Sequence, residues 1–260
     1  MQNYTAAIAD LNKVIELNPN DADYYYNRGV TYSEMGNYTQ AIADYTKAIE
    51  LEPNDAGTYN NRGNAYRHMQ NYNAAIADYT KSIQLNNPEL YLPYNNRGNA
   101  YYKLQNYKAA MEDYNKAIEL NPKYEEAYNN RGNAYQGLKQ YTQAIADYNK
   151  AIELNSNDAD AYANRGITYN DLQQYTQAIA DYTKAIELNP NKEDYYNNRG
   201  IAYYYLQHYN AAIADYNKAI QLNPNNANTY NNRGLCYQAL GDNARAEADF
   251  AKARQLGYNG

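Results

Sequence analysis

An Arg-Gly pair returns at an almost fixed interval along the chain, as Arg28-Gly29, Arg62-Gly63, Arg97-Gly98, Arg131-Gly132, Arg165-Gly166, Arg199-Gly200 and Arg233-Gly234. Successive steps are 34, 35, 34, 34, 34 and 34 residues, each inside a near copy of Tyr94-Asn95-Asn96-Arg97-Gly98-Asn99-Ala100-Tyr101. A fixed period of this length means stacked repeats, each packing only on its neighbours. One elongated domain is therefore expected over 1–260, opening on a half repeat at 1–20. Seven repeats follow at 22–55, 56–89, 91–124, 125–158, 159–192, 193–226 and 227–260, the last a C-terminal cap.

With the glycine as position 8, positions 4 and 11 are Tyr in every repeat and position 20 is Ala. Position 24 is Tyr until Phe250, position 27 is Ala except at Ser82, and position 32 is Pro at Pro19, Pro53, Pro122, Pro190 and Pro224. Spacings of three and four place 4, 8 and 11 on one face of a first helix and 20, 24 and 27 on one face of a second. Each repeat thus reads as a helical hairpin in which Gly at 8 and Ala at 20 permit close approach. The segment from Asn86 to Pro93 is one residue longer than its equivalents, and a local change in superhelical pitch is expected there.

Large core positions must be filled by tyrosine, since the chain has 36 Tyr, one Phe and no Trp. Every buried ring then needs a partner for its hydroxyl. A net charge of -6 without a block of like charge gives no footprint for nucleic acid or an anionic membrane. The single Cys236 cannot form an intramolecular disulfide, and no cofactor or metal site is expected: His68 and His208 sit at different repeat positions and cannot gather as ligands. No catalytic constellation occurs. Met1-Gln2-Asn3-Tyr4 lacks the features of a secretory signal, so the cytoplasm is the expected location.

The spacing aromatic-x3-Gly-x2-Tyr, Ala-x3-aromatic, Pro, seven times over, makes the chain resemble the tetratricopeptide-repeat (TPR) family along essentially its full length. That resemblance implies an all-α, right-handed superhelical solenoid of antiparallel helix pairs, whose first helices line a concave groove holding peptides or protein segments. The chain departs from the family at position 7, where Arg replaces the usual Leu. The only acid present in every repeat is Asp at 23, and an antiparallel hairpin brings 7 near 23 when 8 meets 20. Structural ion pairs are expected between Arg28 and Asp44, Arg62 and Asp78, Arg97 and Asp113, Arg131 and Asp147, Arg165 and Asp181, Arg199 and Asp215, and Arg233 and Asp249.

Asparagine is a poor helix-interior residue, so its repeated use on the first helices needs a reason. At position 6 it is invariant, which suits either helix-to-helix hydrogen bonding or a ligand. The resemblance turns positions 2, 5, 6, 9, 12 and 13 toward the groove. Asn60, Asn64, Arg67, Asn95, Asn99, Lys103, Asn129 and Asn133 would then form an amide-rich, weakly basic half, and Ile167, Ile201, Tyr204 and Leu235 an apolar half. Primary amides suit the backbone of an extended peptide, while an apolar half reads side chains. Position 5 is never Lys, a departure from the carboxylate clamp of chaperone-binding relatives.

A non-enzymatic scaffold for a protein or peptide ligand is the leading expectation. The two ends support alternatives. Residues 4–19 match a second helix without its first, with Ala7, Leu11 and Val14 apolar, whereas Asn243, Glu247 and Arg254 polarise the last helix. Since Met1-Gln2-Asn3-Tyr4 repeats Met69-Gln70-Asn71-Tyr72, the chain reads either as a fragment of a larger protein or as a module that self-associates through its N-terminal half repeat.

Overall fold

The computed structural model describes residues 4–86 and 88–258. Met1, Gln2, Asn3 and Asn87, which entered the reading of the N-terminus and of the longer linker, lie outside the described residues. Among the described residues the chain forms fifteen helices and no strand. They are α1 (Tyr4–Leu17), α2 (Ala22–Glu34), α3 (Tyr38–Leu51), α4 (Ala56–His68), α5 (Tyr72–Gln84), α6 (Tyr91–Lys103), α7 (Tyr107–Leu120) and α8 (Glu125–Gly137). There follow α9 (Tyr141–Leu154), α10 (Ala159–Asp171), α11 (Tyr175–Leu188), α12 (Glu193–Tyr205), α13 (Tyr209–Leu222), α14 (Ala227–Ala239) and α15 (Asn243–Gln255). The chain divides into two compact units, 1–134 and 135–260, each an all-α run of helix hairpins.

One packing rule builds both units. The position-24 tyrosine of each second helix is wholly buried, with Tyr45, Tyr79, Tyr114, Tyr148, Tyr182 and Tyr216 at 2% exposure or less. The rings of Tyr45, Tyr79, Tyr114, Tyr182 and Tyr216 occupy the space that Gly at 8 leaves on the partner helix: a Cβ on Gly63 would lie 2.7 Å from the Tyr79 ring. Alanines at 20 and at position 10 of the following repeat close the cluster, as in Ala41–Tyr45–Ala65 and Ala178–Tyr182–Ala202. Except for the buried Tyr196, the tyrosines at position 4 are less buried than the spacing alone suggests, and Tyr25, Tyr128 and Tyr196 donate their hydroxyls to the carbonyls of Pro19, Pro122 and Pro190.

The arginine at position 7 joins three helices. Arg28, Arg62, Arg97, Arg165, Arg199 and Arg233 each donate Nε and Nη2 to the two oxygens of the aspartate sixteen residues on, for Arg97 at 2.8 and 2.7 Å to Asp113. Arg131 belongs to the first unit and Asp147 to the second, and their pairing stays an expectation from sequence. Nη1 of every one of the seven arginines donates to position 25 of the preceding second helix, which is Asn12, Thr46, Thr80, Asn115, Asn149, Thr183 or Asn217. The cation also lies 5.5 to 6.0 Å from the centroid of the position-4 tyrosine ring. Hydrogen bonding to the aspartate raises each paired guanidinium above its ordinary range, for example Arg97 beside Asp113.

The longer linker leaves the core unchanged. α5 stops one residue before its counterparts, Asn86 takes φ 56°, and α6 starts in the usual register, so Ala75, Tyr79 and Ala100 form the same cluster as elsewhere. The extra residue falls between α5 and α6.

Turns within the hairpins share one backbone form. The residue at position 15 is left-handed throughout, being glycine at Gly36 and Gly241 but Gln70, Gln105, Lys139, Gln173 and Gln207 elsewhere, with φ between 58° and 61°. A side chain in this region costs about 1–2 kcal/mol. Part of that gain is offset by glycine's greater freedom in the unfolded chain, so Gln105→Gly is expected to stabilise by about 0.5–1 kcal/mol. A higher denaturant midpoint at unchanged slope would show it.

Candidate functional site

The first helices carry the residues singled out for binding, and contacts between neighbouring helices claim several of them. Asn61 donates to the Tyr26 hydroxyl at 3.0 Å, Asn96 to Asn60 Oδ1 at 3.2 Å, and Asn130 to Asn95 Oδ1 at 3.0 Å. In these three pairs position 6 of one repeat bonds position 5 of the repeat before it, so helix-to-helix bonding accounts for Asn61, Asn96 and Asn130. Asn95 corrects the expectation of a groove-facing amide: it is 0% exposed and also donates toward Tyr124 and Glu126. Ala163, at the same position, is 5% exposed, because position 5 lies on the seam between consecutive first helices.

Position 9 has a second structural task. Asn64 and Asn99 accept the hydroxyls of the buried Tyr79 and Tyr114, both at 2.8 Å. Burial pushes the Tyr79 phenol up to about 12, so it stays protonated and donates. Opposite Ile167 the Tyr182 hydroxyl accepts from Asn170, and opposite Leu235 the ring is Phe250, which has no hydroxyl. At Asn64 and Asn99 position 9 therefore serves the buried ring as well as the open surface.

Two of the hollows on these surfaces gather expected residues, one in each unit. The first, of about 260 Å³, is lined by Arg67 of α4, Asn99, Tyr102 and Lys103 of α6, and Asn130 and Asn133 of α8, with Tyr72 and Tyr114 beneath. No carboxylate lines it among the described residues. Nε of Arg67 is shut off from solvent without a hydrogen-bond partner. The second, of about 170 Å³, is lined by Ile201, Tyr204 and Tyr205 of α12, Tyr216 of α13, and Asn232 and Leu235 of α14. Tyr205 is 58% exposed, stacks on Tyr175 with centroids 4.9 Å apart and meets Tyr204 edge-on. The Cys236 thiol of α14 is buried and pushed up to about 12 by that burial, which leaves it a packing residue and not a nucleophile.

Of the expected residues, Arg67, Asn99, Lys103 and Asn133 meet in the first hollow, and Ile201, Tyr204 and Leu235 in the second. Asn60, Asn64, Asn95, Asn129 and Ile167 line neither; Ile167 packs on the Ala178–Tyr182–Ala202 cluster. Sequence reasoning missed Tyr102 as lining; Asn130 and Asn232 are position-6 asparagines, for which the sequence left a ligand and a helix-to-helix role open, and Tyr205 shares the tyrosine-rich end of α12 with Tyr204. His68 stacks on Tyr38 at 4.6 Å, with its pKa lowered by burial, and no group of three or more His, Cys, Asp or Glu is arranged for a metal among the described residues. No described helix is long and apolar enough to cross a membrane.

A tetratricopeptide-repeat family model matches residues 22–55, 56–87, 125–158 and 159–192, and another matches 227–256. A TPR-repeat model matches 1–36, 98–139 and 202–241. No curated protein sequence matches. Among solved structures, a tetratricopeptide repeat protein from Parabacteroides merdae is 25% identical with a TM-score of 0.69, over 92% of this chain and 94% of its own. YrrB, described as a TPR protein with an unusual peptide-binding site, is 26% identical with a TM-score of 0.55, over 76% of this chain and 97% of its own. The Cut9–Hcn1 structure, 19% identical with a TM-score of 0.75 over 99% of this chain and 50% of its own, shows the shared fold.

Proposed function

The chain belongs to the tetratricopeptide-repeat family, and on that premise we propose that it is a non-enzymatic interaction module that holds a peptide or protein segment on its first helices. The first hollow takes a carboxylate of that segment, and the second an apolar or aromatic side chain. One observation carries this reading: a chain of net charge -6 gathers Arg67, Lys103 and three amides around one hollow without a lining carboxylate. Cations and amide donors together suit a carboxylate. The tyrosine-lined second hollow offers stacking and apolar burial. Peptide binding by YrrB, a relative of comparable repeat architecture, supports the same use of the fold here.

A peptide-library screen on the wild type, Arg67→Gln/Lys103→Gln and Ile201→Ala/Tyr204→Ala tests this. Hydrogen bonds to charged groups are worth about 1.5–3 kcal/mol each, so the first variant should lose acidic peptides by tenfold or more. Burying an aliphatic side chain is worth about 1.5–3 kcal/mol and depends on its shape, so the second should alter which peptides are held. C-terminally amidated peptides separate a terminal from a side-chain carboxylate. An identical profile for all three proteins would refute the assignment.

A further inference from the structure

We infer that the second hollow is selective for a phenol, the side chain of a tyrosine in the bound segment; this rests on the reading that the hollow receives a side chain, and it names which one. The Tyr216 hydroxyl carries it. In other hairpins the hydroxyl of the position-24 ring is met by position 9 or 12 of its own first helix. Tyr79 and Tyr114 donate to Asn64 and Asn99 at 9, Tyr148 donates to Gln136 at 12, and Tyr182 accepts from Asn170 at 12. In the hairpin of α12 and α13 those two positions are Ile201 and Tyr204, and Tyr216 Oη makes no hydrogen bond among the described residues.

Where that hydroxyl points follows from the same comparison. Positions 9 and 12 mark the end of the ring's reach in the other hairpins, and here both residues line the hollow together with Tyr216. Tyr216 is 1% exposed. The side-chain polar atoms sealed from solvent without a partner are Arg67 Nε and Asn170 Oδ1 among the described residues; Tyr216 Oη is not one of them and keeps an opening on the hollow. Burial raises the Tyr216 phenol well above its ordinary range, so it stays protonated and offers a donor.

Size and chemistry then select the occupant. The hollow measures about 170 Å³, and its walls are Ile201, Leu235 and the rings of Tyr204 and Tyr205. An apolar cavity of about 150 Å³ takes a benzene ring. An aliphatic or phenyl side chain would seat here but shut the Tyr216 hydroxyl away from water without an acceptor, which is costly. An indole brings only a donor and leaves the Tyr216 proton unmet. A carboxylate would accept that proton, but no cation lines the hollow to hold its charge. A phenol fills the ring-sized space, and its oxygen accepts. The Asn232 amide, which makes no hydrogen bond among the described residues, lines the same hollow and offers an acceptor for the phenol's own proton. A site that hydrogen-bonds a ligand hydroxyl rejects the analogue lacking it, so tyrosine is preferred over phenylalanine.

The probes are p-cresol and toluene, the tyrosine and phenylalanine side chains without a backbone, titrated into the intact protein with isotope-labelled isoleucine and leucine methyl groups. The Ile201 and Leu235 methyl signals are expected to shift saturably, with p-cresol held at least about fivefold more tightly than toluene. Tyr216→Phe removes the hydroxyl and keeps the ring, as Phe250 does at position 24 of the last repeat, and should erase or reverse that preference. Circular dichroism checks that the variant keeps its helices. Equal binding of the two probes to the wild type, a preference that survives Tyr216→Phe, or no saturable shift up to the solubility of either probe would overturn the inference. Peptides retained in the library screen form a second arm. Replacing their tyrosine by phenylalanine should weaken binding to the wild type by a similar factor and leave binding to Tyr216→Phe unchanged; an equal loss on both proteins would place the tyrosine elsewhere and overturn the inference. Should no peptide be retained while p-cresol is still preferred, the peptide reading fails and the phenol selectivity of the hollow stands.

Discussion

Asp113→Ala is expected to destabilise the first unit by about 3 kcal/mol, at the low end of the 3–5 kcal/mol typical for breaking a buried ion pair. The Arg97 side chain is 18% exposed and that of Asp113 7%, so the abandoned guanidinium keeps some solvent. Its Nη1 also retains Thr80 at 3.0 Å, and the Tyr94 ring remains 5.5 Å away. What is lost is the pair of bonds through Nε and Nη2, and the solvent that reaches the guanidinium replaces them only in part. Urea unfolding monitored by hydrogen exchange of α6 and α7 reads the effect. A loss under about 0.5 kcal/mol would class the pair with ordinary surface bridges. Replacing both partners together, as Arg97→Leu/Asp113→Leu, should recover most of the stability, because the cost arises from leaving a charge unpaired.

The second large effect belongs to Tyr114. Its ring is 1% exposed, fills the notch at Gly98 and donates its hydroxyl to Asn99, so Tyr114→Ala should cost about 3–5 kcal/mol through the cavity it opens. Gly98→Ala approaches the same contact from the other side, since its Cβ would lie 2.7 Å from Tyr114 Cε1 and 2.9 Å from Cδ1. Overpacking of about 1–3 kcal/mol outweighs the roughly 1 kcal/mol that alanine gains over glycine in a helix, giving a net loss near 1 kcal/mol. Combined as Gly98→Ala/Tyr114→Leu, the two changes should be less harmful than their sum, because a leucine leaves the notch free for the methyl group. Strict additivity in that double-mutant cycle would show that the notch and the ring do not meet.

Much of this architecture was legible in the residues. The Arg-Gly period and the three-and-four spacings settle the helical hairpins, because such positions share a face only on a helix. Aspartate at 23 is the one acid present in every repeat, which made it the partner of Arg at 7 before any contact was known. What spacing could not reveal is how a single side chain divides its hydrogen bonds among neighbours from different repeats. Asn95 and Asn99 look alike in sequence, four residues apart on α6. Yet Asn95 is sealed in the seam against Asn130, while Asn99 accepts the Tyr114 hydroxyl at the edge of the first hollow. The third donor of each arginine likewise reaches position 25 of the preceding helix, where Thr and Asn alternate without a pattern that marks them as partners. Local periodicity determines which face of a helix is buried. Which atoms on that face stay available to a ligand is decided only when adjacent repeats dock, because each buried hydroxyl and guanidinium must first satisfy its own hydrogen bonds.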